Sequence, residues 1–482
     1  MNEQKKAALA AVDTIAPQLC ALSDALWDKP ELGFQEHHAA QLQCDLLKEL
    51  GFHVEQGLGN IPTAFSGTWG SGRPIIAFMG EFDALAGLSQ KAGISTQEPI
   101  VPGAPGHGCG HHLLGSGCIG SAYALKEYLR ATGKPGTVIY YGCPAEEGGS
   151  GKTFMARDGV FDQLDCAFYW HPGPVNAANT STTLANYAVR YRFTGVSAHA
   201  AAAPHLGRSA LDAVELLNTG VQYLREHVTT DVRIHYAITN TGGFSPNVVQ
   251  PFAEVLYLIR APKTPQVQHI YERVNKIAEG AAHMTETRLE IDFVKACSNV
   301  VPNKVLNKVM QKNLEDAPKM VFTDEEYAYA KVIAGGIENR ASIDGLLAQY
   351  SREEDQQFLM NNKDKILHDE ISPLCDIEIC MAGSSDVGDV SWCCPTVQCM
   401  TASEISGTSV HSWQYVANGK SGIAHKGMLF ATKAMAGTVI DLFESPETLE
   451  AAKAELNKRL GGGKYVCPIP ADVKPRAIAP KK

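Results

Sequence analysis

Gly106-His107-Gly108-Cys109-Gly110-His111-His112 sets three imidazoles and one thiol among glycines that let the backbone bend tightly. The stretch lies between two short apolar runs that read as strands, 74–79 and 137–142, and leads directly into a small-residue-rich stretch with helical spacing, 113–129. Strand, His/Cys loop, helix and strand follow in that order. The pattern then repeats as Glu146-Glu147, a helix near 151–158, and a strand over 165–170 that ends in His171. Strands alternating with helices predict an α/β layer around a mostly parallel sheet. In such sheets ligands gather outside the carboxyl ends of the strands. Each chemically capable residue of this half of the chain falls at or after a strand end.

Working outward, 3–27 carries Leu9, Val12, Ile15, Leu19, Leu22 and Leu26 at helical spacing. A second helix, 36–51, stops at Gly51, and a further strand is expected over 63–68. The pattern changes near 185. A strand (188–194), a helix (207–228), two strands (233–239 and 254–259), a helix (266–282) and a strand (287–294) give the β-α-β-β-α-β order of a ferredoxin-like module. The expected division is therefore a catalytic domain built from 1–185 and 299–482, interrupted by a compact module, 186–298. Residues 313–376 are charged and helical without evident chemistry, 421–443 is helical, and the tail after Gly461 is extended.

The 482 residues are 45% hydrophobic and 20% charged, which is ordinary for a globular chain. A net charge of -10 argues against a broad nucleic-acid footprint and leaves room for a local basic pocket. The start, Met1-Asn2-Glu3-Gln4-Lys5-Lys6, does not read as a signal peptide. No uninterrupted apolar run approaches the ~18 residues of a membrane span, so no membrane partner is expected. Thirteen cysteines without disulfide-like spacing point to a reducing, cytoplasmic location.

Cys109 and His111 offer a thiolate and an imidazole, ligands suited to zinc and acceptable to manganese. Glu146 and Glu147 are adjacent at a strand end, where one carboxylate can bind metal while the other carries a proton to and from the reacting groups. Standing alone, such a pair is better explained by a helix start, where the dipole favours acids. His171 and His425 complete the candidate ligands, although each by itself is more often a structural histidine. Asp83 could orient a ligand histidine. His199, Asn247 and Arg260 lie in the inserted module, and Arg260 ends an apolar strand as a candidate carboxylate clamp.

Together, His107-Gly108-Cys109-Gly110-His111, Pro144-Ala145-Glu146-Glu147-Gly148, Trp170-His171-Pro172, Gly195-Val196-Ser197-Ala198-His199-Ala200 and Ala424-His425-Lys426-Gly427 resemble, in order and spacing, the metal-dependent amidohydrolases that include aminoacylases, carboxypeptidases and auxin-conjugate hydrolases. The resemblance implies a di-metal, aminopeptidase-like catalytic domain carrying a ferredoxin-like α+β lid and dimerisation domain. It implies two divalent ions, zinc or manganese. Cys109 would bridge them, His111 and His171 would complete one shell, and Glu147 and His425 would complete the other. Glu146 would be the general base and acid. His199 would enter a partner subunit's site, in a homodimer or a heterodimer with a related chain, and Asn247 and Arg260 would hold a substrate carboxylate. The implied substrate is a small N-acyl amino acid, led by p-aminobenzoyl-glutamate. The alternatives are an indole-acetyl-aspartate or dipeptide substrate, or a non-catalytic role beside a related chain. Glu81 stands where carboxypeptidase-like relatives have a metal-binding histidine, and His112 where many relatives have Asp or Asn.

Overall fold

The computed structural model describes residues 2–337 and 344–477. Its larger sheet has seven strands: β1 (His53–Gln56), β2 (Phe65–Ser71), β3 (Ile75–Glu81), β4 (Gly136–Cys143), β5 (Cys166–Gly173), β6 (Ala177–Ala178) and, from the far end of the chain, Thr396–Ala402. From one edge the order is β1, β2, β4, β3, β5, Thr396–Ala402, β6. The four central strands, β4 through Thr396–Ala402, are parallel, and the flanking pairs are antiparallel. The sheet is therefore mixed around the expected parallel centre. The register sets Glu81 opposite Cys143 and His171 opposite Met400. The carboxyl ends of β3, β4 and β5 therefore share one rim, where Glu81, Glu146, Glu147 and His171 collect.

Helices α1 (Glu3–Asp28), α2 (His37–Glu49), α3 (His111–Thr132) and α4 (Gly151–Arg157) surround this sheet. α3 is buried along almost its whole length and packs on β3, on α1 and on the later helix Gly422–Glu444. α1 is long and apolar enough on average to cross a membrane. Its Val12, Ile15, Leu19 and Leu26 are instead buried in the core it shares with α3.

After the short strand β7 (Thr182–Thr183), the chain forms β8 (Ala185–Thr194), α5 (Ala210–Leu224), β9 (Arg233–Asn240), β10 (Phe252–Ala261), α6 (Thr264–Thr285) and β11 (Arg288–Cys297). These strands pair antiparallel in the order β11, β8, β10, β9. That is the ferredoxin-like arrangement expected from the element order. Side chains on β10 alternate strictly between half-buried and buried. The buried face packs under α5 and α6, where Tyr187, Tyr271 and Phe293 cluster edge to face. Its other face, with Arg190, Arg192, Leu258 and Arg260, is the open one.

β1 and Thr396–Ala402 lie outside the sequence expectations. β1 is four residues long, too short for a period to register. Thr396–Ala402 follows Cys393-Cys394-Pro395 and is mostly apolar, without the alternation of a half-exposed strand, because it is buried inside the sheet beside β5. A short parallel pair, β7 with β12 (Cys380–Met381), joins the module's entrance to the returning chain.

Candidate metal centre

The Cys109 loop is shaped by glycines. Gly110 adopts φ +77°, and a side chain there would press on Pro172 next to His171. Gly108 lets a distant loop lie across it, with the His411 backbone N–H donating to the Gly108 carbonyl at 2.9 Å. His411 itself has φ 65°, an uncommon conformation for a non-glycine residue. Ala145 and Ser150, flanking Glu146-Glu147, are also left-handed. The turn is held where Ala145 N–H donates to Glu36 Oε1 at 2.8 Å. Strained backbone of this kind concentrates at functional sites.

Two groups of potential ligand atoms overlap at one thiol. Cys109, His111 and His171 form the first, and Cys109, Glu147 and His411 the second, with atoms inside each group within 4.8 Å of one another. Cys109 Sγ is 3.4 Å from His171 Nε2, and Glu147 Oε1 is 3.3 Å from His411 Nε2. The ring orientations follow from carbonyl and carboxylate acceptors. His171 Nδ1–H donates to the Pro172 carbonyl at 2.7 Å, and His111 Nδ1–H donates to Asp83 Oδ1 at 2.9 Å. Both histidines thus turn Nε2 toward the thiol, the usual way an outer partner fixes a metal-binding imidazole. Asp83 Oδ2 accepts the Glu147 backbone N–H at 2.9 Å, so one carboxylate braces both groups.

The donor set fits divalent metal. Sulfur, imidazole nitrogen and carboxylate oxygen are the ligands of zinc-type sites. His111 Nε2 and Glu147 Oε1 are buried without a hydrogen-bond partner among the described residues, although charged neighbours lie close. Burial pushes the His171 imidazole down to about 4, helped by His111 beside it, whereas at His111 burial is outweighed by Cys109, Asp83 and Glu81, which hold that imidazole well above its usual value. For Glu146, desolvation and then the charges of Glu81, Asp386 and Glu147 raise the carboxyl well above its ordinary range. A raised carboxyl is what a proton carrier at neutral pH requires.

Beside these candidate ligands lies a buried ionic cluster. Lys152 Nζ is 2.5 Å from Glu81 Oε1 and 2.6 Å from Asp386 Oδ1, and Glu81 Oε2 accepts from Tyr169 OH at 3.1 Å. Glu81 thus occupies the rim position of a ligand, held by Lys152 and Tyr169, with its Oε2 also 3.2 Å from His111 Nε2.

The expected residues separate into two sets. Cys109, His111, Glu147, His171, Glu146 and Asp83 come together. His425 does not: its Nε2 faces Asp24 Oδ1 at 3.0 Å on the α1 side of the helix Gly422–Glu444, and His411 stands in its expected place. His112 is buried with Nε2 on the Gly419 carbonyl at 2.9 Å and has no part in either ligand group. Arg260 lines a cavity of about 610 Å³ between the rim and the module's open face, together with Glu146, Glu147, Asp386 and His411. His199 and Asn247 sit on adjacent loops at the far end of the module, away from this cavity. There His199 Nδ1 accepts from Ala201 and Ala202 N–H at 3.2 and 3.1 Å, and Ala200 N–H donates to the Asn247 carbonyl. Sequence reasoning missed His411. Its only signal is a lone histidine in Ser409-Val410-His411-Ser412, with no strand end or glycine pattern to mark it.

An α/β layer with two groups of candidate metal ligands sharing one cysteine sulfur, a neighbouring carboxyl, and a second module across a cleft fits a metal-dependent hydrolase of the di-metal class. The chain belongs to the Peptidase family M20/M25/M40, which matches residues 77–317. It is 46% identical over 470 residues to a subunit of the p-aminobenzoyl-glutamate hydrolase of Escherichia coli (strain K12), spanning 97% of this chain and 98% of that protein. The Xaa-Arg dipeptidase of Mus musculus is 32% identical over 324 residues, 64% of this chain and 70% of that one. Among solved structures, a dinuclear metal-binding peptidase of the M20 family from Bacillus subtilis superposes with TM-score 0.54 at 16% identity, covering 90% of this chain and 99% of that one. The fold expected from the sequence is thus the family's fold.

Proposed function

We propose that this chain hydrolyses the amide bond of an N-acyl amino acid, with p-aminobenzoyl-glutamate the leading substrate, giving p-aminobenzoate and glutamate. The near full-length similarity to part of a hydrolase named for that substrate supports the choice. The observation that carries the chemistry is the pair of ligand groups sharing Cys109, with Glu146 on the wall of the adjoining cavity.

Cys109, His111 and His171 would hold one divalent ion, and Cys109, Glu147 and His411 the other, zinc or manganese by the chemistry of the donors. Bound there, such ions supply Lewis acidity to the scissile carbonyl and to an attacking water. Glu146 takes the proton of that water and returns it to the leaving amine, a task suited to its raised carboxyl. Asp83 holds His111 and the Glu147 backbone in register. Arg260 faces the substrate from the opposite wall, and residues 186–298 act as the lid that excludes water.

His199 and Asn247 lie too far out to serve this chain's own cavity, which favours an assembly in which they reach into a partner's site. The partner is a second copy or a related chain, and the relative's being one subunit of a hydrolase favours the latter. The same fact raises the alternative of a non-catalytic support chain. Against it stands a complete ligand set with Glu146 in place. All thirteen cysteines are free, which supports a cytoplasmic setting.

The test is release of glutamate from p-aminobenzoyl-glutamate by the purified chain, metal-stripped and then reloaded with zinc or manganese. Metal-dependent release is expected. Release that is indifferent to metal would overturn the metal-dependent reading, and release only after addition of a second, different chain would move the chemistry to the assembly.

A further inference from the structure

The open face of the module's sheet is charged along its length, but its two ends differ. Away from the cleft, the central cations are matched: Arg192 reaches Glu254 at 2.8 Å and Glu290 at 2.6 Å, Arg190 lies by Glu254 and Asp292, and Arg476 of the tail grips Asp292 through both oxygens. Arg288, at the outer edge of the same face, is exposed and has no carboxylate partner among the described residues. At the cleft end, Arg260 on β10 and Lys295 on β11 line the cavity, and neither pairs with a carboxylate among the described residues. Among the described residues Arg260 bonds only the Ala382 carbonyl, at 3.2 Å, and its Nε is buried without a partner.

Lys295 reaches this face through a break in the strand. β11 pairs Phe293 with Val189 and then Lys295 with Ala188, so Val294 is an extra residue in a β-bulge. Phe293 packs on the helix side, against Tyr187 and Tyr271. Under strict alternation Val294 would face the cleft and Lys295 would be driven toward the helices. The bulge instead brings Lys295 onto the cleft face opposite Ala188, beside Val294, which lines the same cavity, and Cys297, two residues on, stays in phase opposite Asn186 on the cleft wall. Arg260 pairs opposite Asn186 on the other side of β8. Two strand spacings, about 10 Å of backbone, therefore separate β10 from β11, a gap their two long side chains can narrow over a small molecule. The facing wall carries Glu146, Glu147 and Asp386. The cavity is cationic on the lid and acidic at the metal centre.

We infer that Lys295 is a specificity-determining residue that reads the side-chain carboxylate of the glutamate half, completing a two-point clamp with Arg260. The inference rests on the amidase reading above and deepens it. A free amino acid carboxylate can be met by one guanidinium, and a second unpaired cation aimed at the same space fits a second carboxylate. A basic leaving group would meet like charge at Lys295 and be rejected.

Binding and turnover are measured in parallel for N-(p-aminobenzoyl)-glutamate and N-(p-aminobenzoyl)-glutamine. The proteins are the metal-loaded wild type, Lys295→Met and Lys295→Arg, with Glu146→Gln versions for calorimetry. The glutamate conjugate should bind at least roughly tenfold more tightly than the glutamine conjugate. Lys295→Met should erase that preference, mainly through KM, and Lys295→Arg should keep most of it. Equal losses on both conjugates, an unchanged preference in Lys295→Met, or binding of neither compound overturns the clamp. Selective binding without turnover would sustain the clamp while overturning the amidase reading.

Discussion

Asp83 holds His111 at 2.9 Å through one carboxylate oxygen while its other oxygen takes the Glu147 backbone N–H at the same distance. One buried side chain therefore sets a ligand from each metal group. Replacing it by alanine frees the His111 ring and the Glu147 turn together. Asp83→Ala should weaken metal affinity by about 10- to 100-fold, the usual effect of losing such a partner. Metal content after dialysis against graded chelator measures it, and wild-type retention would remove Asp83 from the support of the site.

His411 and His425 make opposite predictions. His411 Nε2 faces Glu147, and its backbone is tied to Gly108. His425 is turned to Asp24. His411→Ala should hold one metal ion where the wild type holds two, and should lose most turnover. His425→Ala should hold both. Metal stoichiometry by elemental analysis decides, and a lost ion in His425→Ala alone would reverse the assignment.

The contrast between these two histidines shows how far the sequence could be read. Cys109, His111, Glu146, Glu147 and His171 lie at the rim of a sheet whose strand and helix periods are plain, so their meeting follows from topology. The ferredoxin-like order of the module is legible for the same reason. His425 looks equally eligible because it heads a regular helix beside glycine. His411 lies on an irregular loop, placed by a backbone bond to Gly108 and a left-handed φ that no period announces. Lys295 is hidden in another way. A bulge inverts the face on which alternation would put it, and register is a property of the pairing rather than of β11 alone.

Glu146 stands beside His111 and Glu147 and lines the cavity. Glu146→Gln should keep both metals and lose about 10²- to 10⁴-fold in kcat, the range for a general acid–base group. Rate and metal content must be measured on the same preparation. Near-normal kcat would pass the proton-carrying role to another group.

His199 lies on its loop distant from its own chain's cavity. If it completes a partner's site, His199→Ala should reduce kcat more than it raises KM, as expected for a group that stabilises developing charge. Mixing His199→Ala with Glu146→Gln should then restore a fraction of the activity, because some mixed dimers carry one intact composite site. No recovery after verified subunit exchange would exclude donation in trans.

Asp389 supplies a pH test remote from the metal ligands. Its buried carboxylate accepts from Thr153 Oγ1, from Ser298 N–H and Oγ, and from Tyr465 OH, at 2.6 to 3.1 Å. Burial nevertheless pushes it from 3.8 to about 6. Below the lower value, folded and unfolded chains both hold the proton. Between the two values the folded chain keeps a proton that the unfolded chain has released, so unfolding free energy falls as pH rises, and the loss is complete above about 6. A shift of this size corresponds to roughly 3 kcal/mol. Asp389→Asn abolishes the titration and also disturbs these hydrogen bonds, so its stability will be lower overall but less dependent on pH here. The wild-type advantage over Asp389→Asn should therefore be largest near the lower of the two values and shrink as pH rises past the higher, read as the difference in denaturant midpoint across that window. A constant difference would mean that Asp389 is already ionised in the folded chain at the acid end, stabilised by its hydrogen-bond donors against the cost of burial.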